Sequence, residues 1–374
     1  MSWLLAIGGF MVLVVLHEAG HFTAAKMVGM RVERFFLFFP PKVFSITRGE
    51  TEYGVGAIPL GGFVKITGMN PEEEIPEEVR PRAYYNQKVW KRIFVIAAGP
   101  FVNIVLALVI FFVLAAGFGL DGKATNEVGQ VSTDLPAGKV LQSGDQLVAV
   151  DGVDVSDLQG NALIDRVSTL IGKHECAGEQ TDGCKASDPV ELTVVRDGQT
   201  EQLTITPVYD VPTKEQQDAG LEPAMRVGFG YEAERVHQSV GDAAQFSLDR
   251  AWFITSETAK TFANILDSET REQISGIVGT TEVARQSFEL DTRQALGVLG
   301  VISLSLGLVN LLPFLPLDGG HIFWSIVEKI RGRRPSLQTM ERASFVGFAL
   351  VLVLFFIGLN NDISRITGEG FNVR

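Results

Sequence analysis

Two histidines and a glutamate stand in the order His17-Glu18-Ala19-Gly20-His21. Histidines four residues apart share one face of a helix and can grip one zinc ion. The glutamate between them can act as general base toward water activated by that ion. In water-soluble zinc proteases this motif sits on a helix of a soluble domain. Here residues 3–16 lead into it without a single charge. Ionisable groups in an apolar span are expensive, on the order of kilocalories each, and so call for a role. Two plainer readings fail on the same residues. A signal peptide needs a basic start, and Met1-Ser2 supplies none. A plain helix with stray histidines leaves three ionisable groups in lipid with no task.

A catalytic zinc takes three protein ligands and keeps a fourth position open. The third ligand must come from elsewhere. The stretch Asn310-Leu311-Leu312-Pro313-Phe314-Leu315-Pro316-Leu317-Asp318-Gly319-Gly320-His321 offers two choices. Apart from Glu18, Asp318 is the only carboxylate in any stretch apolar enough to span a bilayer. His321, one turn further on, competes with it but sits nearer the membrane edge. Pro313 and Pro316 break the helix just before Asp318. Broken helix at membrane depth is tolerated where it is buried or lines a wet cavity, and a hydrolytic site needs such a cavity.

The elements that position these groups follow from composition. The chain is 46% hydrophobic and 20% charged, a mixture that points to membrane spans joined to a soluble part. About 20 mostly apolar residues cross a bilayer. Stretches 3–30, 93–120, 295–323 and 343–359 qualify. Basic residues follow the first (Lys26, Arg31, Arg34, Lys42, Arg48), precede the second (Lys88, Lys91, Arg92) and follow the third (Arg331, Arg333, Arg334, Arg342). The positive-inside rule puts all three clusters in the cytoplasm. The amino terminus, residues 121–293 and the carboxyl terminus then lie outside, and Asp318 arrives at the depth of His17 and His21. The net charge of −12 argues against nucleic acid as a partner. The acidic cluster at 71–78 reads as a solvated loop.

Residues 126–208 read as a compact β-rich insert. A Gly144-Asp145 turn precedes a strand, and Asp151-Gly152 makes a hairpin turn after it. Leu163, Ile164, Val167, Leu170 and Ile171 have helical spacing. Strands are expected at 190–195 and 202–206. Cys176 and Cys184 fall between helix and strand. A zinc site with His174 lacks a fourth ligand, so a disulfide in an oxidising compartment is expected. Residues 243–266 read as an amphipathic helix on the outer membrane surface or over a substrate entrance. Residues 52–66 read as short strands with a turn.

With these residues in view, the chain resembles the site-2 protease family of intramembrane zinc metalloproteases. The matching marks are the HEAGH box at 17–21, the Asn-x-x-Pro-x-x-Pro-Leu-Asp-Gly-Gly-His box at 310–321 and Gly99-Pro100-Phe101-Val102-Asn103. Pro59-Leu60-Gly61-Gly62-Phe63-Val64-Lys65 matches too. Arg48-Gly49-Glu50-Thr51-Glu52-Tyr53-Gly54 and the single PDZ-like insert look most like the actinobacterial branch. The resemblance implies a polytopic α-helical membrane protein with about four transmembrane helices, a membrane-associated β-hairpin and an inserted extracytoplasmic PDZ-like α+β domain. The expected division is 1–120 (first membrane half), 121–210 (PDZ-like domain), 211–294 (linker with amphipathic helix) and 295–374 (second membrane half).

The resemblance also implies His17, His21 and Asp318 as zinc ligands and Glu18 as the base. Asn310 is implied to hold the substrate backbone or support the oxyanion; a helix-packing asparagine is the alternative. Asn103 is left outside the catalytic set. The hairpin is implied to present an edge strand that holds an unwound substrate by β-augmentation. The implied activity is endoproteolysis of transmembrane segments of single-span proteins in the lipid bilayer, such as anti-sigma factors or remnant signal peptides. Ser275-Gly276-Ile277-Val278-Gly279 occupies the place of a Gly-Pro-rich family segment and lacks its proline. Two other classes compete. A non-catalytic PDZ-bearing membrane scaffold would not need Glu18 or a complete ligand set. A metal transporter would show internal repeats, and none is visible.

Overall fold

The computed structural model describes residues 1–70, 73–132, 135–212, 221–272 and 274–367. In chain order it contains α1 (Ser2–Met27), β1 (Val32–Arg48), β2 (Thr51–Ile66) and α2 (Val89–Val113), which continues as a π-helical turn over Leu114–Phe118. Then come β3 (Leu120–Val131), β4 (Gln146–Val150), β5 (Val153–Asp154), α3 (Gly160–Ile171), β6 (Val190–Arg196) and β7 (Gln199–Ile205). These are followed by β8 (Val208–Asp210), β9 (Ala224–Arg226) and β10 (Phe229–Val236). The chain continues with α4 (Val240–Ala263), α5 (Ser268–Glu272), α6 (Ile277–Leu290), α7 (Thr292–Asn310), α8 (Asp318–Arg331) and α9 (Leu337–Thr367). Two compact units form: Met1–Phe118 with Gln238–Arg374, and Gly119–His237.

In the first unit, α1, α2 with its π turn, α7 and α9 are the four helices among the described residues long and apolar enough to cross a membrane. The expected third span does not run on to 323. Helix α7 stops at Asn310 and α8 starts at Asp318. Proline lacks the N–H that would continue the ladder, so Pro313 and Pro316 fall in the gap.

Helix α2 is the common strut. Small residues on its neighbours let backbones approach closely. A Cβ at Gly20 of α1 would lie 2.6 Å from the Ala98 carbonyl oxygen, and one at Gly307 of α7 2.9 Å from that of Pro100. The Ser303 hydroxyl donates to the Asn103 carbonyl at 2.9 Å. Helix α4 packs against α2 and α7. Its Ser247 hydroxyl donates to the Leu108 carbonyl at 2.8 Å, and Ile254 is buried with Ala107, Phe111 and Leu304. Its apolar face therefore packs on α2 and α7, while Leu248, Trp252 and Phe253 stay exposed.

The segment without its proline has a clear structural task. Asp362 of α9 is fully buried and accepts from the Gly276 N–H at 3.0 Å and the Gly279 N–H at 2.8 Å. It thereby satisfies orphan donors at the start of α6, where a negative charge is also favoured. Asn361 adds bonds to the carbonyls of Arg271 and Ile274.

Strands β1 and β2 pair in a doubled-back register. Lys42–Arg48 faces Thr51–Gly56, whereas Arg34–Leu37 pairs both with Glu52–Val55 and with Lys65–Gly62. Segment 62–66 is thus an outer edge of the hairpin. Its base is stitched by Arg82, whose two terminal nitrogens donate to Glu50 at 2.7 and 2.8 Å, and by Lys26 at 2.6 Å. The bonds from Arg82, reinforced by Lys26, hold the Glu50 carboxyl down to about 2.

The second unit is a sheet in the order β10-β3-β4-β6-β7, with β5 on β4 and a separate β8-β9 pair. Helix α3 buries Leu163, Val167, Leu170 and Ile171 against Leu147, Val150, Leu192, Val194 and Ile205. Cys176 and Cys184 form a disulfide. The unit closes at His237, beyond the expected boundary at 210. Strand β10 supplies the reason. It pairs with β3, and alternate residues Phe229 and Tyr231 pack on the core. Part of the expected linker is therefore sheet.

Candidate metal centre

Helix α1 presents His17 and His21 one turn apart, both buried. The seat of His21 is α2. Its Nδ1 lies 2.9 Å from the Val95 carbonyl oxygen, so that nitrogen carries the proton and donates, leaving a lone pair on Nε2. A Cβ at Gly99 would collide with the His21 ring, so only glycine lets the imidazole lie on α2. Asp318, the first residue of α8, comes from the other end of the chain.

The three donor atoms form a near-equilateral triangle. His17 Nε2 is 3.2 Å from Asp318 Oδ2, His21 Nε2 is 3.3 Å from the same oxygen, and the two Nε2 atoms are 3.2 Å apart. A zinc ion with ligands at about 2.0–2.1 Å in tetrahedral geometry spaces neighbouring donors by roughly 3.3 Å. The residues therefore fit zinc without rearrangement. Among the described residues this is the one group of three or more His, Cys, Asp or Glu donors so gathered. His321, one turn along α8, is outside it.

Glu18 points toward the hairpin. A Cβ at Gly62 would lie 3.0 Å from Glu18 Cγ and 3.7 Å from Val14. The outer edge 62–66 thus runs beside the metal group. Asn310 ends α7, and its Nδ2 donates to the Leu306 carbonyl at 3.0 Å within its own helix. The structure does not join it to the triangle. Asn103 is fully buried, and neither side-chain atom has a partner among the described residues. The sequence reading missed the Val95 and Gly99 seat of His21. Its one local signal is the Gly99-Pro100 pair, a small residue at the point where the two helices meet.

Four candidate spans and a gathered His–His–Asp group define a multi-pass membrane zinc metallopeptidase. Residues 5–354 match Peptidase family M50. The chain is 30% identical over 387 residues to the zinc metalloprotease Rip1 of Mycobacterium tuberculosis (strain ATCC 25618 / H37Rv), covering 92% of this chain and 90% of that protein. It is also 30% identical over 390 residues to Rip1 of Mycolicibacterium smegmatis, covering 93% and 91%. A solved PDZ domain of an SdrC-like protein from Listeria monocytogenes aligns with 30% of this chain and 88% of that one, at 18% identity and a TM-score of 0.20. The chain belongs to Peptidase family M50, the site-2 type of zinc metalloprotease.

Proposed function

We propose that the enzyme cuts transmembrane segments of single-span proteins near the cytoplasmic face. The observation that carries this is a zinc-shaped donor triangle on α1 and α8, with the edge of β2 alongside it. Three basic clusters support an orientation with the amino terminus, the insert and the carboxyl terminus outside. The site then lies near the inner ends of its spans.

A helical substrate buries its own peptide groups and must unwind before cleavage. Edge 62–66 offers backbone donors and acceptors to such a strand. His17, His21 and Asp318 would hold zinc, which would supply Lewis-acid chemistry at this site. Glu18 takes the proton from water and passes it to the leaving amine. Asn310 turns from Leu306 to steady the substrate backbone or the developing oxyanion. Substrates of this kind include anti-sigma factors already trimmed outside and remnant signal peptides.

Replacing Glu18 by glutamine tests the chemistry. Glu18→Gln is expected to keep zinc and lose cleavage of a single-span reporter by about 10²–10⁴ or more, the worth of a general base. Zinc content and turnover are read on the same detergent-purified sample. Near-normal turnover would sink the mechanism.

A further inference from the structure

Asp318 meets the histidines only while α8 keeps its register on the rest of the unit. Gly319 and Gly320 press onto the backbone of 311–315, where any Cβ would collide. That contact fixes the start of the helix to the loop, but loop and helix can still shift together. Ile322 packs on the cluster around Ala24, Ala25 and Ile96. Such apolar contact is non-directional and tolerates sliding.

The directional contacts lie further along α8, and they converge on Arg92 of α2. Arg92 Nη2 is 2.8 Å from Glu328 Oε1, with the two side chains only 7% and 16% exposed. The Arg92 guanidinium sits 6.0 Å from the centre of the Tyr84 ring. Arg334 also approaches Glu328, at 3.5 Å, and donates to the Tyr85 carbonyl.

Along α2, Arg92, Val95 and Gly99 are spaced by three and four residues and share one face. Val95 and Gly99 seat His21, and Arg92 grips α8, which carries Asp318. One helix face therefore gauges ligands from both ends of the chain.

We infer that Arg92 and Glu328 are positioning residues. Their buried ion pair sets the register of α8 on α2 and so holds Asp318 at His17 and His21. The inference rests on those three residues being the zinc ligands. Groups that orient metal ligands typically change affinity by about 10–100-fold when removed. Glu328→Gln keeps the shape of the side chain and removes its charge.

The test uses the full-length protein in detergent, with zinc affinity from chelator competition, the visible spectrum of the cobalt(II)-loaded protein, and the melting temperature of the metal-free form. Glu328→Gln is expected to bind zinc roughly ten-fold more weakly and to alter the cobalt spectrum, because one oxygen donor is displaced. The double variant Arg92→Glu/Glu328→Arg is expected to recover part of both. A lower melting temperature with wild-type affinity and spectrum would make the pair merely structural and overturn the inference. If Glu328→Gln does not fold, Glu328→Asp keeps the charge and shortens the reach. Weakened zinc binding supports the inference there, and wild-type binding overturns it. A wild-type protein that binds no zinc would instead overturn the metal-site reading itself.

Discussion

Each unit sets a carboxylate among basic side chains, and the surroundings differ. In the insert, Asp145 is 1% exposed and fully satisfied. Arg196 reaches it with Nε at 2.7 Å and Nη2 at 2.6 Å, and the Gln142 N–H donates at 2.8 Å. In the membrane unit, Asp318 faces two imidazole nitrogens, and the two nitrogens also face each other at 3.2 Å. With Nδ1–H donated to the Val95 carbonyl, the neutral His21 ring offers a lone pair at Nε2. The Asp145 cluster is closed by the protein's own groups. The Asp318 cluster gathers lone pairs that a cation closes. Buried polar groups are nearly always paired, so converging acceptors are what mark a site for chemistry.

This contrast assigns fold to the insert and chemistry to the membrane unit, since every proposed ligand and the base come from the latter. The strongest way to break it is to remove the insert. We expect a protein with 119–237 replaced by a flexible linker to keep zinc and to cleave a short reporter. It should also cleave a reporter with a bulky external domain that the full protein rejects. Reporter assays with both substrates read this directly. Continued rejection of the long reporter would show that the insert does not set that limit.

A smaller effect is expected within the insert. Asp145→Ala leaves Arg196 with Glu201 but without its main partner and should lower the stability of the insert. Thermal unfolding of the insert checks this, with zinc content unchanged. The pH dependence has a definite sign. Burial pushes the Asp145 carboxyl up, but Arg196 and the Gln142 N–H outweigh it and leave it below the usual carboxylate range. A lowered folded value gives stability that is complete above about pH 4 and lost as pH falls toward that value. The insert should therefore melt earlier in acid, and Asp145→Ala should flatten that part of the profile.

The smallest expected effect concerns Cys176 and Cys184, which close a loop of sequence separation 8. Impermeant thiol reagents on intact cells should label both, and only after reduction, with cleavage of the short reporter unchanged. Labelling that needs a permeabilised membrane would invert the proposed orientation.

Much of the site was legible because its geometry is local. The four-residue step from His17 to His21 is one helical turn, and Asp318 stood out as a carboxylate among apolar neighbours. What the sequence hid was pairing across long separations. The seat of His21 at Val95 and Gly99, the grip of Arg92 on Glu328, and Asp362 on the Gly276 and Gly279 amides each depend on helix approach. The strand at Phe229–Val236 has alternating residues, yet its membership of the insert depends on β3, a hundred residues earlier in order of magnitude. Pro313 and Pro316 signalled a break, and still the expected span ran past it to 323. The proline chemistry was legible, and the point where α8 restarts was not.

His17, His21 and Asp318 are proposed to hold one zinc. Zinc-edge X-ray absorption on the full-length protein, beside Asp318→Ala and His321→Ala, tests it most directly. The account predicts one zinc per chain with imidazole and oxygen donors at about 2.0–2.1 Å, lost or weakened in Asp318→Ala and retained in His321→Ala. A sulfur shell near 2.3 Å, or zinc that survives Asp318→Ala and leaves with His321→Ala, would contradict it.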